Sequence, residues 1–478
     1  MLVNIYINRT IVDGFKRHIK DCSIGDRHMY DIIIVGAGMS GIFLAYTLLQ
    51  TNTKLKILMI EKGRKLIDRT CPIEIGLSDK CVDCNICNRL QGFGGMGRSE
   101  GKFNYTNDFG GHLDEKIGVD KVLNLMEYVD KTLCSYGADK IKLYSTENEA
   151  LSKRAKENNC RILTTKVRHL GTNLSYEILN KMYAYFETKV DIKFETNIIS
   201  INKNNDIFNL KSNENVFKSK TVVLATGISG GAKFLKYCKS FNIVPYRSRV
   251  DLGIRVEMKG DQLKSILQDY LETKICYEDN ELTATTYCMN AKGKVVKKYQ
   301  EGLVMADGQN YLETDHPSCN LNFSIFAPKY FPSSNEAKNY ARSIIKSINK
   351  ETGRIVIQRL EDLIKNRPTT MEQLVKNSIQ ATIDSDGGNL YEEIPLVYIN
   401  ALLRIFASIE KLIGTEIDKD TLLYGIDAKF YEPEINTSIH FETKEKGLYV
   451  LGDCSGTTYS LSQAAASGVY LGRHLLEK

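Results

Sequence analysis

The chain has 478 residues, of which 42% are hydrophobic and 26% charged, the composition of a globular protein with room for several domains, which excludes a fibrous or low-complexity chain. Its 64 basic residues are nearly matched by 58 acidic ones, so the net charge of +6 gives no reason to expect nucleic acid as a partner. Twelve cysteines, four of them clustered and the rest scattered, suit a reducing compartment with one metal or redox site and exclude a disulfide framework.

Residues 1–28 carry charges throughout and lack an apolar run, so they read as a polar extension and not as a secretory leader. A cytoplasmic protein is expected. The apolar stretch 32–49 has the length of a membrane span. Gly36, Gly38 and Gly41 instead place a strand-to-helix turn inside it, and no membrane partner is expected.

Residues 31–41 read D-I-I-I-V-G-A-G-M-S-G. Four consecutive apolar residues suit a parallel strand buried on both faces. Gly36 permits the tight turn, Gly38 lets the backbone approach a pyrophosphate, and Gly41 lets helix and strand pack closely. The helix that follows aims its first amides at phosphate. A second strand, 56–60, ends in Glu61, twenty residues after Gly41, where a carboxylate can meet adenosine ribose hydroxyls. Together these elements predict a dinucleotide site built from Gly36, Gly38, Met39, Ser40, Gly41, Glu61 and Lys62.

Residues 63–110 are rich in Gly and Cys and read as loop. Cys71, Cys81, Cys84 and Cys87 have the pattern C-x9-C-x2-C-x2-C. Two-residue spacings let thiolates converge on one centre, and the set reads as ligands of a [4Fe–4S] cluster, of structural zinc, or as free thiols. The run 92–101, G-F-G-G-M-G-R-S-E-G, offers amides of Gly95 and side chains of Arg98 and Ser99 to a pyrophosphate or flavin. Helices are expected over 126–137 and 175–187, and strands near 191–202 and 216–226.

Residues 222–231, V-V-L-A-T-G-I-S-G-G, form a second buried strand running into a small-residue turn, with Ala225, Thr226 and Gly227 at its end. Between 241 and 430 the pattern mixes strands (253–258, 302–306) with helices (336–349, 355–365, 395–413). Arg255 reads as an anchor for an acidic substrate group or as a strand ion pair with Glu257. Cys288 and Tyr287 end a strand and read as flavin-facing or as core. His316 and His169 read as proton donors or as ordinary loop histidines. The tail, 447–456, reads G-L-Y-V-L-G-D-C-S-G before a helix over 462–476. Asp453 can bond a ribityl hydroxyl, and Gly452, Gly456 and Ser462 line the turn. A cofactor that needs this distant strand–turn–helix as well as the first is longer than the N-terminal motif can hold, so FAD is expected in place of NAD.

With the A-T-G and G-D segments behind an N-terminal G-x-G-x-x-G, the sequence resembles the two-dinucleotide-domain flavoproteins. Within that group it is similar to the uncharacterised bacterial FAD-dependent dehydrogenases, through Cys71-Pro72, the cysteine run, 92–101, 171–173, 251–257, 288–290, 322–323, 358–362 and the C-terminal block. Residues 94–107 also resemble a related flavoprotein family that contains reductases of enone and bile-acid-type double bonds. The resemblance implies an α/β fold, a Rossmann-like FAD-binding domain of glutathione-reductase type with an inserted α+β substrate domain. The expected plan is an N-terminal extension (1–28), FAD-binding parts at 29–110, 171–240 and 431–478, a helical insertion at 111–170, and a substrate or cap domain at 241–430.

The expected activity is hydride or electron transfer between FAD and a small organic substrate, with reduction of an activated C=C bond implied by the resemblance alone. Only one complete nucleotide fingerprint is present, so the electron partner is read as transient NAD(P)H, a ferredoxin or the cysteine-bound cluster. Two other readings stand beside it: a flavin-dependent RNA-modifying enzyme, and a non-enzymatic electron-transfer or redox-sensing flavoprotein. The catalytic residue is unassigned beyond Arg255, Cys288 and His316.

Overall fold

The computed structural model describes residues 29–51, 54–78, 82, 84–99, 101–267, 273–300, 302–309 and 316–478. Two sheets organise the chain. The first has the order Asp191–Lys193, Ile57–Ile60, Met29–Val35, Val216–Leu224, with the antiparallel strands Ile207–Lys211 and Ser200–Asn204 beyond. The first four strands in that order run parallel: Ile33 pairs with both Leu58 and Val222, and Leu58 with Asp191. Strand Val216–Leu224 shares its outer edge between two partners. Its first half pairs antiparallel with Ile207–Lys211, and its second half pairs parallel with Leu448–Val450. The tail therefore closes the same sheet that the first motif opens.

Ile33 and Ile34 are both fully buried although they point to opposite faces, as a strand covered on both sides requires. One face packs on helix Met39–Leu48, and the C-terminal helix Leu461–Glu477 lies across that helix in turn. Gly468 and Gly472 make this crossing possible. A Cβ at Gly468 would stand 2.3 Å from Ser40 O, and one at Gly472 would stand 2.8 Å from Thr47 Cβ.

The second sheet is mostly antiparallel, with the order Asp386–Gly387, Val356–Arg359, Leu422–Phe430, Ser248–Lys259, Asn320–Phe331, Thr283–Ala291, Lys274–Glu278, Cys160–Leu163. Helices Ser334–Asn349 and Leu396–Ile413 cover one face, where Leu252, Ile254 and Val256 are buried. The other face carries Asp251, Arg255 and Glu257 from the same strand, as period-two alternation demands. The hairpin 294–309 folds over part of it, burying Val295 and Ala306 against Leu422 and Tyr424.

The expected helix over 355–365 is replaced by strand Val356–Arg359 and a short helix, Leu360–Ile364. The β-branched run Ile355-Val356-Ile357 is buried and pairs with Leu422–Phe430, so tertiary pairing overrides the apparent helical period. The segment 111–170 carries helices Val119–Ser135 and Glu149–Glu157 as well as strand Cys160–Leu163, which joins the second sheet. Among the described residues no helix is long and apolar enough to cross a membrane.

Candidate functional site

The parallel strands end together at one edge of the first sheet, and the sequence motifs gather there. Strand Met29–Val35 sits where the strand order reverses, which is where α/β sheets open a ligand crevice at their carboxyl ends. Gly36 has φ +114°, and a Cβ there would lie 2.2 Å from Ala225 O, so the turn is pinned against the second motif. A Cβ at Gly41 would lie 2.2 Å from Gly36 O. Gly38 differs from both: nothing lies within 4 Å of its would-be Cβ, and it caps helix Met39–Leu48 without a side-chain hydrogen bond. Open space above the first amides of a helix makes a cradle that can receive an anion. Gly227, φ +59°, also faces open space at the end of Val216–Leu224. Met39 and Ser40 are buried under the cradle, and Lys62 is part-exposed beside it.

Glu61 is 8% exposed and does more than the sequence suggests. Its Oε2 accepts the Ala37 amide at 2.8 Å, and its Oε1 accepts the amides of Gly63 at 2.7 Å and Gly92 at 3.1 Å. One carboxylate thus ties together the glycine turn, the chain after the second strand and the start of the 92–99 loop. That loop lies over the cradle: Gly94 N donates to Ala37 O at 2.9 Å, and a Cβ at Gly95 would be 3.2 Å from Gly38 Cα. Ser99 is exposed and its Oγ donates to Met96 O at 2.7 Å, and Arg98 pairs with Glu74 while its Nε has no partner among the described residues.

Arg69 holds the far side of the loop. It is 1% exposed and donates to the carbonyls of Asn88, Arg89 and Phe93. Burial, with Arg98 nearby, lowers its pKa to about 10. The segment bearing Cys71, Cys84 and Cys87 is therefore closed by a buried guanidinium. Among the described residues no three His, Cys, Asp or Glu side chains converge as metal ligands would, and Cys81 lies outside those residues.

The tail completes the cleft. Gly452 abuts helix Met39–Leu48, since a Cβ there would lie 2.6 Å from Ser40 Oγ. Asp453 follows; burial raises its carboxyl to about 7, against a 2.8 Å bond from Thr458 Oγ1 to its Oδ1. Gly456, φ +72°, is pressed on Glu434, where a Cβ would meet Cα at 2.6 Å. Ser462 is fully buried. Its hydroxyl and that of Thr226 have no hydrogen-bond partner among the described residues.

Segment 106–113 is laced to this turn: His112 N donates to Thr457 O, Tyr459 N to Gly110 O, and Gln463 Nε2 to Thr106 O. His112, which the sequence did not single out, has Nε2 3.6 Å from Glu434 Oε2. Burial would raise the Glu434 carboxyl, but bonds from His112, Tyr246 and Arg247 hold it at about 2.

The three candidate catalytic side chains do not meet. Arg255 is 1% exposed; it donates to Ser324 Oγ at 2.9 Å and Asn322 Oδ1 at 2.6 Å, with Asp307 and Asp427 at 3.8 Å. Gly308 of the hairpin seals it, for a Cβ there would lie 1.3 Å from Nη2. Arg255 thus sits inside a closed polar network. Cys288 is exposed on a bulge with φ +52°, and His316 is exposed in a loop.

No protein-family model matches the chain. It is similar to an uncharacterized protein of Clostridium beijerinckii, 23% identical over 476 residues, covering 93% of this chain and 80% of that protein. Among solved structures it is similar to glycine oxidase from Geobacillus kaustophilus, at 12% identity over 95% of this chain and 96% of that one, with a TM-score of 0.38. L-proline dehydrogenase from P. horikoshii gives 12%, 95%, 94% and 0.38. CtdE in complex with FAD gives 10%, 92%, 82% and 0.32. Each is a distant likeness.

Proposed function

We propose that this chain is an FAD-dependent oxidoreductase acting on a small organic substrate. The observation that carries the reading is the meeting of three distant segments at one sheet edge: Gly36–Gly41 with Glu61, Ala225–Gly227, and Gly452–Ser462. A mononucleotide needs only the first. The residues fit the longer cofactor on local grounds: Gly38 and Gly227 leave open space, and the buried Thr226 and Ser462 hydroxyls lack partners among the described residues, as polar atoms reserved for a ligand do.

In this reading the adenosine lies at Glu61 and Lys62, the pyrophosphate at Gly38 under Gly95 and Arg98, and the ribityl chain at Asp453. FAD would supply the hydride and electron chemistry that no side chain provides. The chain's own residues position and seal. Glu61 fixes the loop over the phosphates, the helix starting at Met39 offers its amides, and Asp453 holds a hydroxyl through the carboxylate oxygen that Thr458 leaves over.

The resemblance in 94–107 supports an activated C=C bond as the reducible group, and the single nucleotide fingerprint leaves NAD(P)H or a ferredoxin as electron donor. Cys71, Cys84 and Cys87 do not converge as metal ligands among the described residues, so no step of the reading passes through a metal or cluster. Anaerobic purification followed by acid release and chromatography tests the proposal. One FAD per chain is expected. A folded, colourless protein that takes up no added FAD refutes it.

A further inference from the structure

We infer that the polar face of the second sheet forms a pocket for a planar organic anion, with the Lys429 ammonium pairing its carboxylate between aromatic walls. The inference rests on the flavin reading above and deepens it, because this pocket adjoins the C-terminal turn. Tyr459 of that turn packs edge-on against Tyr431, with ring centroids 4.6 Å apart. Tyr459 N is bonded to Gly110 O, and the neighbouring Phe109 ring lies 3.4 Å from Lys274 Nζ. Lys274 also reaches the Tyr287 ring, at 4.9 Å.

Lys429 stands in the middle of this enclosure. Its Nζ is 3.6 Å from the Tyr287 ring centroid and 5.0 Å from that of Phe326. Lys429, Tyr287, Tyr431 and Tyr459 are each part-exposed, whereas Phe109 and Phe326 are buried. The Lys429 side chain is thus part-exposed, with the Tyr287 and Phe326 rings beside its ammonium.

The charge arrangement decides the ligand class. Asp251 is the cross-strand neighbour of Lys429, but its carboxylate is already taken. Arg249 grips both oxygens, at 2.6 and 2.8 Å, and Tyr431 donates to Oδ2 at 2.8 Å. Asp427, two residues before Lys429, is likewise engaged, by Lys298 at 2.8 Å and Ser324 at 2.6 Å. Cys288, Lys298 and Asp307 also lie nearby, with Asp307 paired to Lys298 at 3.6 Å. No carboxylate lies within ion-pair distance of Lys429 among the described residues. Burial lowers the pKa of this amine, the expected result for a cation lacking a partner. An incoming carboxylate would restore that balance, and the flanking rings favour a flat, conjugated body attached to it.

The test uses the full chain as isolated, with benzoate, trans-cinnamate and 4-hydroxycinnamate as probes and cinnamamide as the neutral control. Binding is followed by perturbation of the flavin absorption and, independently, by equilibrium dialysis of labelled benzoate. At least one anion should bind in the millimolar range or tighter and cinnamamide more weakly. Lys429→Gln should weaken the anion at least tenfold, while Lys429→Arg should retain most of it. In the unmutated protein the bound anion should slow acetylation of Lys429 by acetic anhydride, read by peptide mass; this arm does not depend on any variant folding. Failure of all three anions to bind, equal binding by the Gln variant, or acetylation unaffected by the anion would each overturn the proposal. A variant that loses or recolours its flavin with anion binding intact would overturn it too, by placing Lys429 against the cofactor. A colourless protein with Lys429-dependent benzoate binding would keep the anion site and sink the flavin reading.

Discussion

Replacing Glu61 by glutamine separates two roles that the alanine substitution confounds. A residue that only bonds ribose hydroxyls tolerates glutamine, because a hydroxyl can donate or accept. A residue that accepts three backbone amides does not. Ala37, Gly63 and Gly92 all donate to the carboxylate, at 2.8, 2.7 and 3.1 Å. Glutamine's single carbonyl can serve the Gly63 and Gly92 pair, which leaves its NH2 group facing the Ala37 amide. One charge-assisted bond becomes a buried donor–donor contact, costing about 2–3 kcal/mol, and the two survivors lose their charge assistance. The sum is on the order of 3–5 kcal/mol, a large share of the 5–15 kcal/mol typical of a folded domain. The assay is urea unfolding of the flavin-free protein, compared with FAD retention. The expected result is a clear fall in the unfolding midpoint before any cofactor is added, with weaker FAD binding. An unchanged midpoint would refute the clamp role.

Gly38→Ala and Gly41→Ala should part company: the first meets only open space at ordinary φ and should fold normally but bind FAD at least tenfold more weakly, whereas the second drives a Cβ to 2.2 Å from Gly36 O and should fail to fold well. Circular dichroism with flavin titration distinguishes them. Asp453 has its carboxyl raised from 3.8 to about 7, so ionising it opposes folding: the flavin-free protein should lose stability as pH rises from about 4 to 7, by at most ~4 kcal/mol at this site. Asp453→Asn should remove that slope and stabilise the protein at pH 8 but not at pH 4; a parallel pH–stability curve for the variant would contradict the assignment. Gly468→Leu should unseat the C-terminal helix from helix Met39–Leu48, where a Cβ would already lie 2.3 Å from Ser40 O, and should lower both the melting temperature and FAD content.

The first strand, the helix after it and the second strand were legible because everything that fixes them is local: four apolar residues, spaced glycines and an acid. The tail was legible for the same reason. Strand Val356–Arg359 was not, since its pairing partner lies more than sixty residues on and a buried apolar run of that length has no periodic signature. The clamp made by Glu61 depends on amides at 37 and 92, and the contact of His112 with Glu434 spans most of the chain. Neither leaves a trace in spacing. Lys429 was passed over for a related reason: alternation in 427–431 marks an inward polar face but does not show which carboxylates are already engaged. Arg255 read as a substrate anchor or as an ion pair with Glu257; its partners are instead Asn322, Ser324, Asp307 and Asp427, and only the hairpin glycine at 308 reveals that it is sealed in.

In the proposed function one FAD is held jointly by the beginning, middle and end of the chain. Protein isolated without added flavin, then freed of ligand and titrated with FAD and with FMN while its fold is monitored, measures this directly. Saturation by one FAD per chain, at least a hundredfold tighter than FMN because the adenosine end engages Glu61, is the predicted result. Equal affinity for the two, or uptake of neither by the folded chain, would contradict it.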